Sequence, residues 1–217
     1  MKITVLGTGT VGQTIGAKLI ELDHQVKMGS RSADNEKGIE WVNKNGSNAS
    51  LGTFNEAAAF GEIIFNCTKG METIQILNSI EKQNLHSKIL IDLTNPLDFS
   101  NGMPPTLSVC NTNSIGEEIQ NKFPDTYVVK TLNTMWCGLM VNPNMIGGGD
   151  HVNFICGNVA EAKDKVKTLL MSFGWKPENI LDLGDITASR GTEMYLPLWL
   201  RVYTATNNGA FNLKFIR

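Results

Sequence analysis

The chain begins with Met1-Lys-Ile-Thr-Val-Leu-Gly7-Thr8-Gly9-Thr10-Val11-Gly12. The apolar residues before the first glycine are typical of a short buried strand, and Gly7 permits a tight turn after it. Gly9 lets a pyrophosphate approach the backbone, and Gly12 lets the following helix pack close to the strand. The order of strand, glycine turn and amphipathic helix therefore predicts a dinucleotide site. Its predicted contacts are Gly7, Thr8, Gly9, Thr10, Val11 and Gly12.

The segment after the second predicted strand indicates which dinucleotide binds. An NAD site uses a carboxylate about 20 residues past the last glycine of the motif to hold the ribose hydroxyls, and none stands there. Ser30 and Ser32 can donate to phosphate oxygens instead, Arg31 can pair with a 2′-phosphate, and Lys37 adds a second positive charge. The pattern favours NADP. The alternative is that Ser32 only caps the next helix and that Arg31 is a solvated surface residue.

Composition limits the class of protein. The chain has 217 residues, of which 41% are hydrophobic and 18% charged, and its formal net charge is −2. Such a chain can bury one core and has no excess charge for binding nucleic acid or an anionic membrane. It shows neither a signal peptide nor an apolar run of membrane length, so a cytoplasmic protein is expected. Four scattered cysteines lack metal-ligand spacing, which predicts free thiols and no metal site.

Strand and helix patterns alternate along the chain as far as about residue 185. This alternation predicts an α/β fold with a doubly wound parallel sheet, the Rossmann NAD(P)-binding fold. The remaining segment breaks the pattern, because it is helical in composition and rich in large apolar residues. We therefore expect a dinucleotide-binding domain at 1–185 and a small helical C-terminal extension at 186–217, packed together as one compact unit. Pro197 should kink or start a helix in the extension.

Ligands of doubly wound sheets lie beyond the carboxyl ends of the strands, so the segments after successive strands should meet at one cleft. Thr68 can bond a ribose or phosphate, or cap a helix. Asn95 can contact the nicotinamide half, or only fix the turn before Pro96. The further predicted cofactor contacts are Cys67, Thr68, Asn95 and Pro96. The predicted substrate pocket is Asn133, Thr134, Met135 and Trp136, for which plain packing is the alternative.

The residues give no recognisable proton donor beside the cofactor. The three histidines, His24, His86 and His151, are expected at the surface or in turns. Lys130 lies inside a predicted strand, where it is either a buried base or, more in keeping with its position, part of a structural ion pair. No catalytic residue is assigned, because a hydride that passes between two flat heterocycles needs only that both rings be held face to face.

Several segments together resemble the NADPH-dependent oxidoreductases of the deazaflavin (coenzyme F420) type. They are Gly7–Gly12, Gly29–Arg31, Asp92–Pro96, Val129–Thr134 and Glu193–Arg201. That family is in turn similar to the nucleotide domain of membrane metalloreductases. The resemblance implies a single Rossmann domain with a small extension, and NADP bound at Gly9–Gly12, Ser30 and Arg31. It also implies a deazaflavin or flavin as the small-molecule redox partner, and a homodimer.

Three functions remain open at this point. The first is an NADP(H)-dependent oxidoreductase that transfers a hydride between NADPH and a deazaflavin or flavin ring. The second keeps the fold but reduces a small carbonyl or imine compound, with Lys130 or another residue as the acid. The third is a sensor that binds NADPH without turnover. Turnover with a flavin-like acceptor separates the first hypothesis from the other two.

Overall fold

The structure is a computed structural model, and it describes residues 1–216. Its strands are β1 (Lys2–Leu6), β2 (Gln25–Ser30), β3 (Ala49–Thr53), β4 (Ile63–Asn66), β5 (Ile89–Asp92), β6 (Leu97–Asp98), β7 (Thr106–Leu107), β8 (Tyr127–Thr131), β9 (Asn153–Cys156) and β10 (Ile180–Asp182). Within the described range an eight-stranded sheet has the order β3-β2-β1-β4-β5-β8-β9-β10, and a separate two-stranded hairpin pairs β6 with β7.

The order of the strands confirms the predicted doubly wound fold and locates its switch point. The chain passes outward from β1 to β2 and β3, and then returns to β4 on the other side of β1. Leu6 lies opposite both Gly29 and Asn66 in the parallel register. The carboxyl ends of β1, β2 and β4 therefore meet at one edge, where a crevice forms in folds of this kind.

The parallel prediction is wrong for the last two strands. β9 runs antiparallel to β8, with Thr131 opposite Ile155, and β10 runs parallel to β9. The reason is the connection over residues 132–152, which holds one short α-helix and two 3-10 turns and returns to the sheet at the carboxyl edge without crossing it. The hairpin of β6 and β7 was also not predicted, because strands of two residues have no periodicity to detect.

Helices cover both faces of the sheet. They are α1 (Thr10–Glu21), α2 (Glu36–Asn45), α3 (Phe54–Phe60), α4 (Gly70–Asn78), α5 (Ile115–Lys122), α6 (Cys137–Val141), α7 (Ala160–Ser172), α8 (Ser189–Met194) and α9 (Leu196–Thr206). One hydrophobic cluster joins α1, α2, α6 and α7 to one face, and a second joins α3, α4 and α5 to the other. No helix in this part of the chain has the length and apolar character needed to cross a lipid bilayer.

The first part of the C-terminal segment, residues 186–194, packs on the α5 side of the sheet. Ile186 joins the second hydrophobic cluster. The hydroxyls of Ser189 and Ser114 lie 2.7 Å apart, and the Arg190 guanidinium donates to the buried Glu117 carboxylate at 2.8 Å. Pro197 stands in the first turn of α9, where its missing N–H costs no hydrogen bond, as the sequence predicts. The division at residue 185 stays a prediction.

Candidate functional site

The glycines between β1 and α1 serve two purposes: two of them are required by the fold, and one leaves room for a ligand. Gly7 has φ +108°, and a methyl group at Gly12 would lie 2.1 Å from the Gly7 carbonyl oxygen, so the fold itself demands both glycines. A methyl group at Gly9 would meet no atom within 4 Å. Gly9 is also the N-cap of α1, whose free N–H groups and dipole favour an anion. The open side of Gly9 therefore fits a phosphate group that approaches the backbone.

A cleft of about 540 Å³ opens in front of this turn, within the size range of ligand pockets. A second cleft of about 350 Å³ adjoins it and shares Ser30, Arg31, Phe54 and Ile76 with it. The predicted cofactor contacts that line the larger cleft are Gly7, Thr8, Gly9, Thr10, Val11, Ser30, Arg31, Cys67 and Thr68. The structure thus brings together the segments after β1, β2 and β4.

Other predicted contacts lie apart from the lining of these two clefts. The Ser32 hydroxyl bonds the Asp34 carboxylate, and Lys37 is exposed on α2. Ser32 is not the cap of α2, since Asn35 accepts from the Gly38 N–H at 3.0 Å. Asn35 also lines the larger cleft. The sequence signal that could have identified Asn35 is an asparagine directly before a helical pattern.

Two further charged residues, Lys69 and Glu72, lie at the rim of the larger cleft, and Glu72 was not predicted there. Glu72, in the first turn of α4, forms an ion pair with Arg31, and its other oxygen lies 3.6 Å from the Lys69 ammonium. Arg31 and Lys69 are well exposed, and Glu72 is about one-third exposed. No periodicity links positions 31 and 72. Only the meeting of β2 and α4 at the sheet edge brings the charges together.

A buried hydrogen-bond network lies behind Thr68. The Thr68 hydroxyl donates to the Asn66 side-chain oxygen at 2.7 Å, and the Asn66 amide donates to Asp92 at 2.9 Å. The N-cap of α4 is Lys69, so Thr68 does not cap that helix. Burial, with a contribution from the nearby Asp92 carboxylate, raises the pKa of the Cys67 thiol well above its ordinary value. A thiol held neutral in this way can line the site but is not a nucleophile.

The loops after β5 and β8 are locked to each other. The Asn95 side-chain amide donates to the Asn133 backbone carbonyl at 2.9 Å, and the Asn133 amide donates back to Asn95 at 2.9 Å. A methyl group at Gly70 would lie 2.0 Å from the Asn95 carbonyl oxygen, so the first residue of α4 contacts the same loop. Asn95 therefore fixes the turn before Pro96, which was one of its two predicted roles.

The predicted substrate-pocket residues differ in accessibility. Asn133, Thr134 and Met135 are buried, whereas Trp136 is 40% exposed and packs against Gly209 of the C-terminal segment. The Thr134 hydroxyl has no hydrogen-bond partner within residues 1–216. Leu132, just before this loop, holds φ +61° although it is buried, a strained conformation of the kind found near functional sites. Trp136 is thus the residue of this set that can offer a ring face to a ligand.

Lys130 is fully buried between two carboxylates. Its ammonium lies 2.7 Å from both the Asp92 and the Glu193 carboxylates, and it donates to the Thr94 carbonyl at 2.6 Å. Burial alone would lower the pKa of Lys130, but the two carboxylates outweigh it and raise the pKa above its ordinary value. All three donors are occupied, so Lys130 forms the structural ion pair rather than a base that faces a substrate.

His151 lies in the bend before β9, which is one of its two expected placements, but it is not at the surface. It is buried, its Nε2 lies 2.8 Å from the Pro143 carbonyl oxygen, and its Nδ1 lies 2.8 Å from the Asn212 amide. Its Nδ1 thus attaches the C-terminal segment, while its Nε2 holds the loop that contains Pro143. Among residues 1–216 we find no group of His, Cys, Asp and Glu side chains that could hold a metal ion.

Comparison with known proteins adds a family and several relatives. The family model described as NADP oxidoreductase, coenzyme F420-dependent, matches residues 2–96. A crystal structure from Arthrobacter sp. FB24, assigned provisionally as an F420-dependent NADP-reductase, is 46% identical. The match covers 100% of both chains, with a TM-score of 0.94.

Two more distant similarities extend this picture. Metalloreductase STEAP3 of Rattus norvegicus is 28% identical over 204 residues, which are 91% of this chain and 38% of that protein. The chain therefore spans about two-fifths of the length of this curated relative. An imine reductase from Aspergillus terreus, solved with NADPH4 and a dibenzazepine, shares the fold with a TM-score of 0.66 at 15% identity. That match covers 95% of this chain and 62% of the reductase.

Proposed function

The chain belongs to the family of coenzyme F420-dependent NADP oxidoreductases, and on that premise we propose that it transfers a hydride between NADPH and a deazaflavin or flavin ring. NADP-dependent redox activity follows from the family itself. The proposal concerns the acceptor and the residues that hold both partners. A small carbonyl or imine substrate is the weaker alternative, because the donors of Lys130 are all occupied by other groups.

One observation supports the cofactor site above the others. The open side of Gly9, the N-terminus of α1 and the Ser30–Arg31 pair face the same cleft. In this proposal the N–H groups after Gly9 bind the pyrophosphate, while Ser30 and Arg31 bind the 2′-phosphate. NADPH supplies the hydride when bound. The chain supplies orientation and excludes water, since the locked Asn95–Asn133 pair holds the far end of the site rigid.

We place the acceptor ring against Trp136. Its indole is 40% exposed, lies at the start of α6 and rests on Gly209, so the C-terminal segment would form part of the acceptor site. An aromatic face of this kind stacks well on a planar heterocycle. Cys67, Thr68, Asn95 and Pro96 would then border the nicotinamide half, with Asn133, Thr134 and Met135 supporting Trp136 from beneath. Ser32 and Lys37 would need to turn toward the 2′-phosphate to contribute.

We further propose a homodimer, which the family resemblance implies. Within the described residues, α9 buries only Leu196, and it leaves Leu198 and Tyr203 exposed to solvent. Apolar residues on such a helix suit a second copy of the chain. A cytoplasmic location remains a prediction from the sequence.

Arg31→Ala tests the proposed choice of cofactor. We expect NADPH binding to weaken about tenfold to a hundredfold, because a charge-assisted contact to the 2′-phosphate is lost. NADH binding should change little, since NADH has no group at that position. Dissociation constants for both cofactors, measured by fluorescence titration, check this result. Equal losses for NADPH and NADH would contradict the placement of the 2′-phosphate at Arg31.

A further inference from the structure

The rim of the larger cleft contains an acidic residue opposite the proposed phosphate site. Arg31 follows β2, Glu72 lies in the first turn of α4, and both side chains line the cleft while forming an ion pair. Lys69 approaches the other oxygen of Glu72 at 3.6 Å. A single carboxylate therefore engages the guanidinium that, in the proposed function, binds the 2′-phosphate.

The charge of a ligand determines how strongly Glu72 opposes its binding to Arg31. A phosphomonoester has a charge of about −1.5 to −2 at neutral pH, so it competes with Glu72 for Arg31 and is repelled by Glu72 as well. An exposed ion pair contributes little to stability, so a ligand can open it readily. A ribose without the phosphate places no charge there and meets no such penalty. It can even donate its hydroxyls to a carboxylate, as in NAD sites.

We propose that Glu72 is a specificity-determining residue that lowers the preference of this site for NADP(H) over NAD(H) by competing with the 2′-phosphate for Arg31. This inference rests on the proposed placement of the 2′-phosphate. Removal of the Glu72 charge should therefore strengthen the binding of a 2′-phosphorylated nucleotide.

Glu72→Gln tests the proposal with adenosine fragments, which report on this end of the site without any turnover. The probes are adenosine 2′,5′-bisphosphate and adenosine 5′-monophosphate, titrated calorimetrically at low and at high ionic strength. We expect the bisphosphate to bind about threefold to tenfold more tightly to the variant at low ionic strength, and the gain to shrink in salt. The monophosphate should bind within about twofold of the unmodified protein, which also verifies that the site is folded.

Two further variants separate the outcomes. Glu36→Gln removes the same charge from the first turn of α2, where the residue is exposed and lines neither cleft, so it corrects for net charge. In an Arg31→Ala background Glu72→Gln should give a much smaller gain, because only the direct repulsion by Glu72 is then removed. The role of Glu72 alone would be overturned if Glu72→Gln bound the bisphosphate no more tightly than the unmodified protein while Arg31→Ala still bound it more weakly, as expected. An Arg31→Ala variant that keeps its preference for the bisphosphate would overturn both the phosphate placement and this inference.

Discussion

Lys130→Met should lower the free energy of unfolding by about 3–5 kcal/mol, since it leaves two buried carboxylates without their counter-charge. Asp92 and Glu193 are fully enclosed, and each lies 2.7 Å from the Lys130 ammonium. Glu193 also accepts from the Ile115 and Gly116 N–H groups at the start of α5. The ion pairs of Lys130 with Asp92 and Glu193 therefore connect the C-terminal helices to the centre of the sheet, and their loss should destabilise both. Equilibrium unfolding in urea measures the effect.

A matched control is available on the surface of the same protein. Lys167 forms an ion pair with Asp182 at 3.0 Å, and both side chains are about one-third exposed. Lys167→Met should therefore cost less than about 1 kcal/mol. If Lys130→Met folded with nearly normal stability and lost only turnover, Lys130 would be the acid of a carbonyl or imine reductase, and its assignment to a structural ion pair would be wrong.

Gly9→Ala should abolish tight NADPH binding while the fold remains intact. The added methyl group meets nothing within 4 Å in the protein, and φ −77° suits alanine, so we expect the unfolding free energy to stay within about 1 kcal/mol. The same methyl group would occupy the space that the pyrophosphate needs. Loss of its charge-assisted contacts should weaken NADPH binding by about a hundredfold or more. Calorimetric titration and thermal unfolding of the same sample measure both quantities.

Gly12→Ala is the contrasting variant. A methyl group there would lie 2.1 Å from the Gly7 carbonyl oxygen, which the fold cannot accommodate. Gly12→Ala should therefore lose stability together with binding, whereas Gly9→Ala loses binding alone. Normal NADPH affinity in a folded Gly9→Ala protein would place the dinucleotide elsewhere.

Features formed by residues close together in sequence could be predicted. They include the turn at Gly7–Gly12, the Ser30–Arg31 pair and, outside the site, Pro197 at the start of α9. Turn geometry and helix starts are set within a few positions of the chain. The doubly wound fold could be predicted for the same reason, because each βαβ crossover is specified by its own strand and helix. The observed strand order confirms it.

Features that depend on distant residues could not be predicted in this way. Arg31 and Glu72 lie 41 positions apart, and Lys130 and Asp92 lie 38 positions apart, so only the assembled sheet brings each pair together. The antiparallel β9 was missed because a buried four-residue strand has the same pattern in either direction. The burial of His151 was not predicted, because one of its partners, Asn212, lies 61 residues away.

Anaerobic NADPH oxidation, followed at 340 nm with the deazaflavin coenzyme, FMN and FAD supplied in turn, tests the central claim most directly. NADH is the control donor, and Gly9→Ala is the control protein. We expect rapid oxidation of NADPH with one of these acceptors, little oxidation of NADH, and none above background with Gly9→Ala. Tight NADPH binding without turnover on any of the three would contradict hydride transfer to a flavin-like ring and favour a small-molecule reductase or a sensor.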